Sequence, residues 1–154
     1  MLFAAVDCPD LFESLVVGSG AVGVELVAGR LIELMQSPFG AFADAEGGDL
    51  AVAFVSEPAA RPPPPSVVED YWHSSAAARF DNAANFIRAY PEELPVLKGL
   101  LTKVETPVLV LAGRQGPLVQ PANGEHLVDR IPRSREVLLE GGHLIWEDAA
   151  VEYG

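Results

Sequence analysis

Cysteine is nearly absent from this chain: Cys8 is the single one in 154 residues. One cysteine cannot close an internal disulfide or furnish a multi-cysteine metal site. No glycine-rich elbow or neighbouring histidine accompanies it, so Cys8 is expected to be a structural residue, buried or half-buried. Basic residues are also scarce, with 10 Lys and Arg against 22 Asp and Glu and a net charge of -12. Phosphate groups are held largely by Lys and Arg, so nucleic acid and anionic membrane are not expected as partners. Long hydrophobic runs are missing as well. No stretch reaches the roughly 18 apolar residues that a membrane helix needs. The opening Met1-Leu-Phe-Ala-Ala-Val6 lacks a basic flank and is short for a secretory leader, so a cytoplasmic location is expected by default.

What the chain does contain is globular. Apolar residues make up 49% and charged residues 21%, a balance unlike that of disordered chains. A chain of this length suits one domain and buries about 68–70% of its unfolded surface on folding.

Hydrophobic spacing and chain breakers organise the sequence. Leu2 to Phe12 reads as the tail of a helix that Pro9 ends, and Ser14-Leu-Val-Val17 as a short buried strand. Val24, Val27, Leu31, Leu34 and Met35 recur at helical steps, predicting a helix from Val24 to Met35 that Pro38 stops. Leu50 to Val55 is too short for its periodicity to separate strand from buried helix. Arg61-Pro-Pro-Pro-Pro65 is a rigid break. Ser66 and Glu69 have the spacing of a capping box, opening a helical region that runs with breaks to Tyr90. Pro91 to Pro95 is expected to turn the chain, and Leu97 to Val104 to form a short helix. Pro107 can open a strand that reaches Ala112, since a first strand residue tolerates a missing donor. A helix over Ala122–Ile131, a strand over Arg135–Leu139 and a helix from Ile145 to Tyr153 complete the chain. Strands alternating with helices at both ends imply a parallel sheet, with a helical, proline-broken middle set between its strands as a cap.

Three motifs carry chemistry. Gly18-Ser-Gly-Ala-Val-Gly23 fits the G-x-G-x-x-G spacing of a dinucleotide turn, in which Gly18, Gly20 and Gly23 would admit a phosphate. Its context is incomplete: Asp44 and Glu46 lie near the required distance, but no apolar strand precedes them. A plain strand-end turn is the simpler reading. Ser19 is not in a nucleophile elbow, because Val17 and Ala21 stand where G-x-S-x-G has glycines. His143 follows a predicted parallel strand directly after Gly141-Gly142. Loops beyond the carboxyl ends of parallel strands are where open sheets place ligands. A histidine there can move a proton between nucleophile and leaving group.

From Val104 to Tyr153 the chain resembles the end of the α/β-hydrolase superfamily. The matching residues are Thr106-Pro-Val-Leu-Val-Leu-Ala-Gly-Arg-Gln-Gly-Pro-Leu-Val119, Ile131-Pro-Arg-Ser134 and Gly141-Gly-His143. Arg79-Phe80 and Arg88-Ala-Tyr-Pro-Glu-Glu-Leu-Pro95 resemble the run from cap to sheet, and Leu15-Val-Val-Gly-Ser-Gly20 the strand after the nucleophile helix. The resemblance implies a partial α/β-hydrolase-like fold, a short parallel sheet with flanking helices and a helical cap segment. Residues 1–154 would be one incomplete domain, with about 24–103 cap-like and 104–154 forming the terminal strand–helix units. His143 matches the catalytic histidine. The family's acid, the Asp of a G-R-x-D-P pattern, falls on Gly116, which has no carboxylate. Glu140 and Glu125 lie nearby without the family spacing; Glu140 is the substitute acid to consider, and surface charge is its simpler reading.

The family's chain order puts the serine elbow before the acid and the histidine, which here means before Met1. A truncated gene model, a degraded gene or a late start codon is expected to be the cause. The function this implies is that of a hydrolase fragment, whose intact relatives cleave ester or similar bonds through a Ser-His-acid triad and which is itself inactive alone. The alternative is a non-catalytic partner-binding protein that keeps a cap and part of a sheet. A nucleotide-binding protein using Gly18, Gly20 and Gly23 is the third reading. No cofactor and no metal are implied. A small-molecule substrate is expected when the upstream half is present, and self-association through an open sheet edge when it is not.

Overall fold

The computed structural model describes residues 1–154. Three parallel strands form one sheet in the order β1 (Leu15–Gly18), β2 (Val108–Gly113), β3 (Ser134–Leu139). Leu15 pairs with Val108 and Gly18 with Leu111; Val108 pairs with Ser134 and Gly113 with Leu139. β2 is the middle strand, and five of its six residues are buried. β1 is an edge, and its Val16 is 47% exposed. A helix, α1 (Leu2–Asp7), precedes the sheet. Five helices separate β1 from β2: α2 (Arg30–Gln36), α3 (Gly47–Ser56), α4 (Pro65–Ser75), α5 (Arg79–Arg88) and α6 (Tyr90–Leu100). α7 (Ala122–Arg130) crosses from β2 to β3, and α8 (Ile145–Asp148) and α9 (Ala150–Tyr153) follow β3. This is an α/β fold with a short parallel sheet, flanking helices and a helical cap.

The main core joins α1, α6 and α7 to the sheet through Leu2, Leu97, Leu101, Val110, Leu127 and Ile131. Leu101 is wholly buried, and a leucine so placed contributes about 1.5–3 kcal/mol. A second cluster, Leu111, Leu139, Ile145 and Ala149, packs α8 and α9 against β2 and β3. A third, Val27, Leu31, Leu118 and Val119, lies beneath the cap.

Several local expectations change. Val24 to Met35 is not one helix: a single 3-10 turn at Val24–Leu26 gives way to extended chain, and α2 starts only at Arg30. The reason is tertiary. Val27 bridges Val119, Ala28 N–H donates to the Leu118 carbonyl at 2.9 Å, and Gln120 N–H to the Leu26 carbonyl at 3.1 Å. Asn123, 1% exposed, clasps the same segment. Its Oδ1 accepts from Val22 N–H at 2.9 Å, and its Nδ2 donates to the Leu26 carbonyl at 2.8 Å. These partners outbid the local 3.6-residue period.

Ser66 does not cap its helix; α4 begins one residue earlier, with Pro64 as N-cap and no side-chain cap bond. Proline suits that first turn because its missing amide is one of the donors left unpaired there anyway. Pro91 to Pro95 is helix, not turn. Pro91 sits in the first turn of α6, and the helix carries Pro95 inside it because Leu94 and Leu97 on either side of it are buried in the main core. Residues 50–55 resolve as helix within α3. The final helix is broken at Ala149, whose φ of -129° is not helical. Cys8 is exposed rather than buried, since it follows the end of α1 on the surface.

Candidate functional site

At the carboxyl ends of β2 and β3 the two following loops touch. Arg114 N–H donates to the Leu139 carbonyl at 3.0 Å and Gln115 N–H to the Gly141 carbonyl at 3.0 Å. Gly113 faces the Gly142 carbonyl so closely that a Cβ at 113 would collide with it. Glycine here is a requirement of backbone approach.

His143 leaves this junction. Its N–H donates to the Pro58 carbonyl at 3.3 Å, tying the turn to the cap loop. Asp148 fixes the same turn from beneath: Oδ2 accepts from Gly142 N–H at 2.7 Å. The same carboxylate accepts from Ala60 N–H at 3.1 Å and Arg61 N–H at 3.3 Å. The His143 ring meets Trp146 edge-on with centroids 6.3 Å apart. Trp146 Nε1–H donates to the Tyr71 hydroxyl at 3.0 Å, and that hydroxyl donates to Glu147 at 3.3 Å. Burial raises the Tyr71 pKa and keeps the phenol protonated. Burial likewise holds the His143 pKa below its ordinary value, so the ring is neutral near pH 7. Its Nδ1 is buried and makes no hydrogen bond.

A cavity of about 330 Å³ opens between the cap and the sheet, with His143, Ser19 and Tyr71 among its walls and apolar side chains around most of the rest. Ser19 stands one residue past β1 with a φ of +44°, and its Oγ is buried without a partner. A larger depression of about 440 Å³ lies at the other end of the sheet, where the strands begin, along Ser14–Val16, Pro107–Leu109 and Pro132–Arg135. It is more open and holds neither His143 nor the loops around it.

Gly116 lies on the loop facing the histidine turn: a Cβ built on it would stand 4.0 Å from the Gly142 carbonyl and only 2.9 Å from the Val119 carbonyl. The loop is thus closed down where an acid side chain would emerge. Glu140 is spent elsewhere, paired with Arg114 at 2.7 Å on the surface and 73% exposed. Glu125 is exposed in the first turn of α7.

The phosphate reading of Gly18, Gly20 and Gly23 has no structural basis. No helix N-terminus follows Gly23, only the one 3-10 turn. A Cβ at Gly23 would meet the Glu25 carboxylate at 2.8 Å, and a fixed negative charge there repels phosphate. No group of three or more His, Cys, Asp or Glu is placed to hold a metal ion, and no helix is long and apolar enough to cross a membrane.

The roles of Tyr71, Asp148 and Asn123 were not visible in the sequence. Each has hydrogen-bond partners 75 to 101 residues away.

No family model and no curated protein matches this chain. Solved structures do. A thermophilic esterase from Thermogutta terrifontis superposes with a TM-score of 0.74 at 18% identity, over 99% of this chain and 56% of that one. A 2-hydroxy-6-oxo-6-phenylhexa-2,4-dienoate hydrolase from a Rhodococcus species gives 0.72 at 16% identity, with the same coverages. An α/β hydrolase fold protein from Burkholderia ambifaria gives 0.70 at 19% identity, over 99% and 58%. The chain has a partial α/β-hydrolase-like fold. It spans little more than half the length of the solved proteins it resembles.

Proposed function

We propose that these residues form the later half of an α/β-hydrolase-type catalytic unit. In this reading 24–103 serve as the cap and 104–154 as the terminal strand–helix units, with His143 as general base. The observation that carries it is a neutral, largely buried histidine on the turn after β3, on the wall of an apolar cavity roofed by the cap. The nucleophilic serine would come from a strand laid along the free edge of β1, in a further segment of the protein. His143 would take the serine's proton as it attacks an ester or similar carbonyl, and return it to the leaving group. Backbone amides beside that serine would hold the oxyanion. By this route the 154 residues alone have no turnover.

The test is to join the chain to the complementary part of a solved neighbour such as the Thermogutta esterase, and to measure hydrolysis of activated esters. Turnover that His143→Ala abolishes supports the reading. Turnover that persists in His143→Ala, or robust His143-dependent turnover by the unjoined chain, rejects it.

A further inference from the structure

We infer that the cavity beside His143 selects neutral, largely apolar esters over anionic acids, and that the Ser19 hydroxyl reads the ligand's polar atom. This rests on the proposed function only in taking the cavity as the substrate site.

Size comes first. At about 30 Å³ per non-hydrogen atom, the share of one water in the liquid, a cavity of about 330 Å³ holds a ligand of on the order of ten atoms. Its length is limited by the cap, where small side chains, among them Ala51 of α3 and Ala84 of α5, form part of the wall.

Charge comes second. No Lys or Arg lines the cavity. Arg88 of α5 is committed elsewhere, to the Asp81 carboxylate at 2.9 Å and to the Ser37 hydroxyl at 3.1 Å. Glu147, behind Tyr71, adds negative charge to the same wall. A carboxylate or phosphate entering here would be buried without a counter-charge, which is strongly unfavourable.

Polarity comes third. The Tyr71 hydroxyl is already engaged by Trp146 and Glu147, whereas two polar atoms of lining residues are buried and bond to nothing: His143 Nδ1, the atom a catalytic acid would hold, and the Ser19 Oγ. The Ser19 backbone is held by the sheet, its N–H donating to the Leu111 carbonyl at 2.8 Å, in a positive-φ conformation uncommon outside glycine. A rigidly placed, unpaired hydroxyl in an apolar wall favours a ligand that brings an acceptor. An ester carbonyl oxygen does so without bringing charge.

The test uses equilibrium dialysis of the 154-residue chain at about pH 8, where a carboxylic acid is ionised, with methyl hexanoate, hexanoate and toluene as probes. Methyl hexanoate is expected to bind more than about tenfold tighter than hexanoate. Ser19→Ala should weaken methyl hexanoate by roughly fivefold and leave toluene, which has no acceptor, unchanged. Ala51→Leu and Ala84→Leu, which fill the cavity, should each weaken both neutral probes. Ser19 and Tyr90 also line a neighbouring groove along the outer edge of β1; Val16→Ser, in that groove and outside the cavity, should affect neither. Equal binding of hexanoate, indifference to Ser19→Ala, or loss of binding with Val16→Ser instead of the alanine variants would overturn the inference. Dialysis reads no turnover. An inactive joined protein whose chain still discriminates ester from acid would therefore reject the catalytic reading alone, and turnover without discrimination would reject this inference alone.

Discussion

Asp148 accepts the Gly142 amide at 2.7 Å and, with the same carboxylate, the amides of Ala60 and Arg61 in the cap loop. One side chain thereby couples the turn that carries His143 to the loop that carries Pro58, whose carbonyl accepts from His143 N–H. Asp148→Ala should lower stability by about 1–2 kcal/mol, because a charged acceptor is lost from partly exposed amides. Asp148→Asn, which keeps an acceptor, should lose less. Hydrogen exchange should localise the change to residues 58–61 and 141–143. Protection there identical to that of the parent chain would reject the coupling.

Asn123 is the stronger clasp. Its four hydrogen bonds hold Val22, Gly23, Leu26 and Gln120, and it is almost fully buried. Asn123→Ala should cost about 2–3 kcal/mol, read as a shift of the urea midpoint at unchanged slope, because buried backbone groups are left without partners. A loss below about 0.5 kcal/mol would mean that water or a rearranged loop replaces the side chain.

Stability should depend on pH through His143. Burial lowers its folded pKa below the ordinary 6.5, so over that interval the unfolded chain binds more protons than the folded one. The contribution is fully present above about pH 6.5 and is lost as pH falls toward the folded value. His126 is shifted in the same direction, with desolvation as the largest cause. The urea midpoint should therefore fall between about pH 7.5 and 5.5, and His143→Leu should flatten part of that fall. A variant with an undiminished slope would place the linkage elsewhere.

Restoring an acid at position 116 meets a steric obstacle. The Cβ of any residue there would approach the Val119 carbonyl to 2.9 Å, so the loop must shift, at a cost of about 1–3 kcal/mol. Gly116→Ala measures that cost by itself. In the joined protein, Gly116→Asp should exceed Gly116→Ala in kcat/KM, because an aspartate oriented to Nδ1 holds the imidazole in its working tautomer. Equal values for the two variants would show that the shifted loop does not present the carboxylate to His143.

The free edge of β1 should make the 154-residue chain self-associate. Val16 is exposed on an apolar strand with neither Lys nor Pro to discourage pairing. Light scattering should report oligomers whose size falls in Val16→Lys. A monodisperse parent chain with one cooperative unfolding transition would reject the expectation.

The sequence by itself marked these three strands and a parallel sheet, while leaving Leu50 to Val55 open between strand and helix, because short apolar runs bounded by Gly and Pro leave few alternatives and helices between them force crossovers. It also singled out His143 for attention and placed Gly116 on the facing loop. It misplaced the elements whose local preference lost to distant partners. The helical spacing from Val24 onward yielded to the clasp of Asn123 and the bridge to Val119. The prolines of α6 yielded to core packing of Leu94 and Leu97, and the Ser66 cap yielded to a start at Pro65, which suits a first turn, with Pro64 as N-cap. Only the tertiary structure decided that Ser19 and His143 line one cavity, that no cation lines it, and that Asp148 joins cap to sheet. Those relationships link residues scores of positions apart, and a periodicity read over one or two turns of chain carries no information about them.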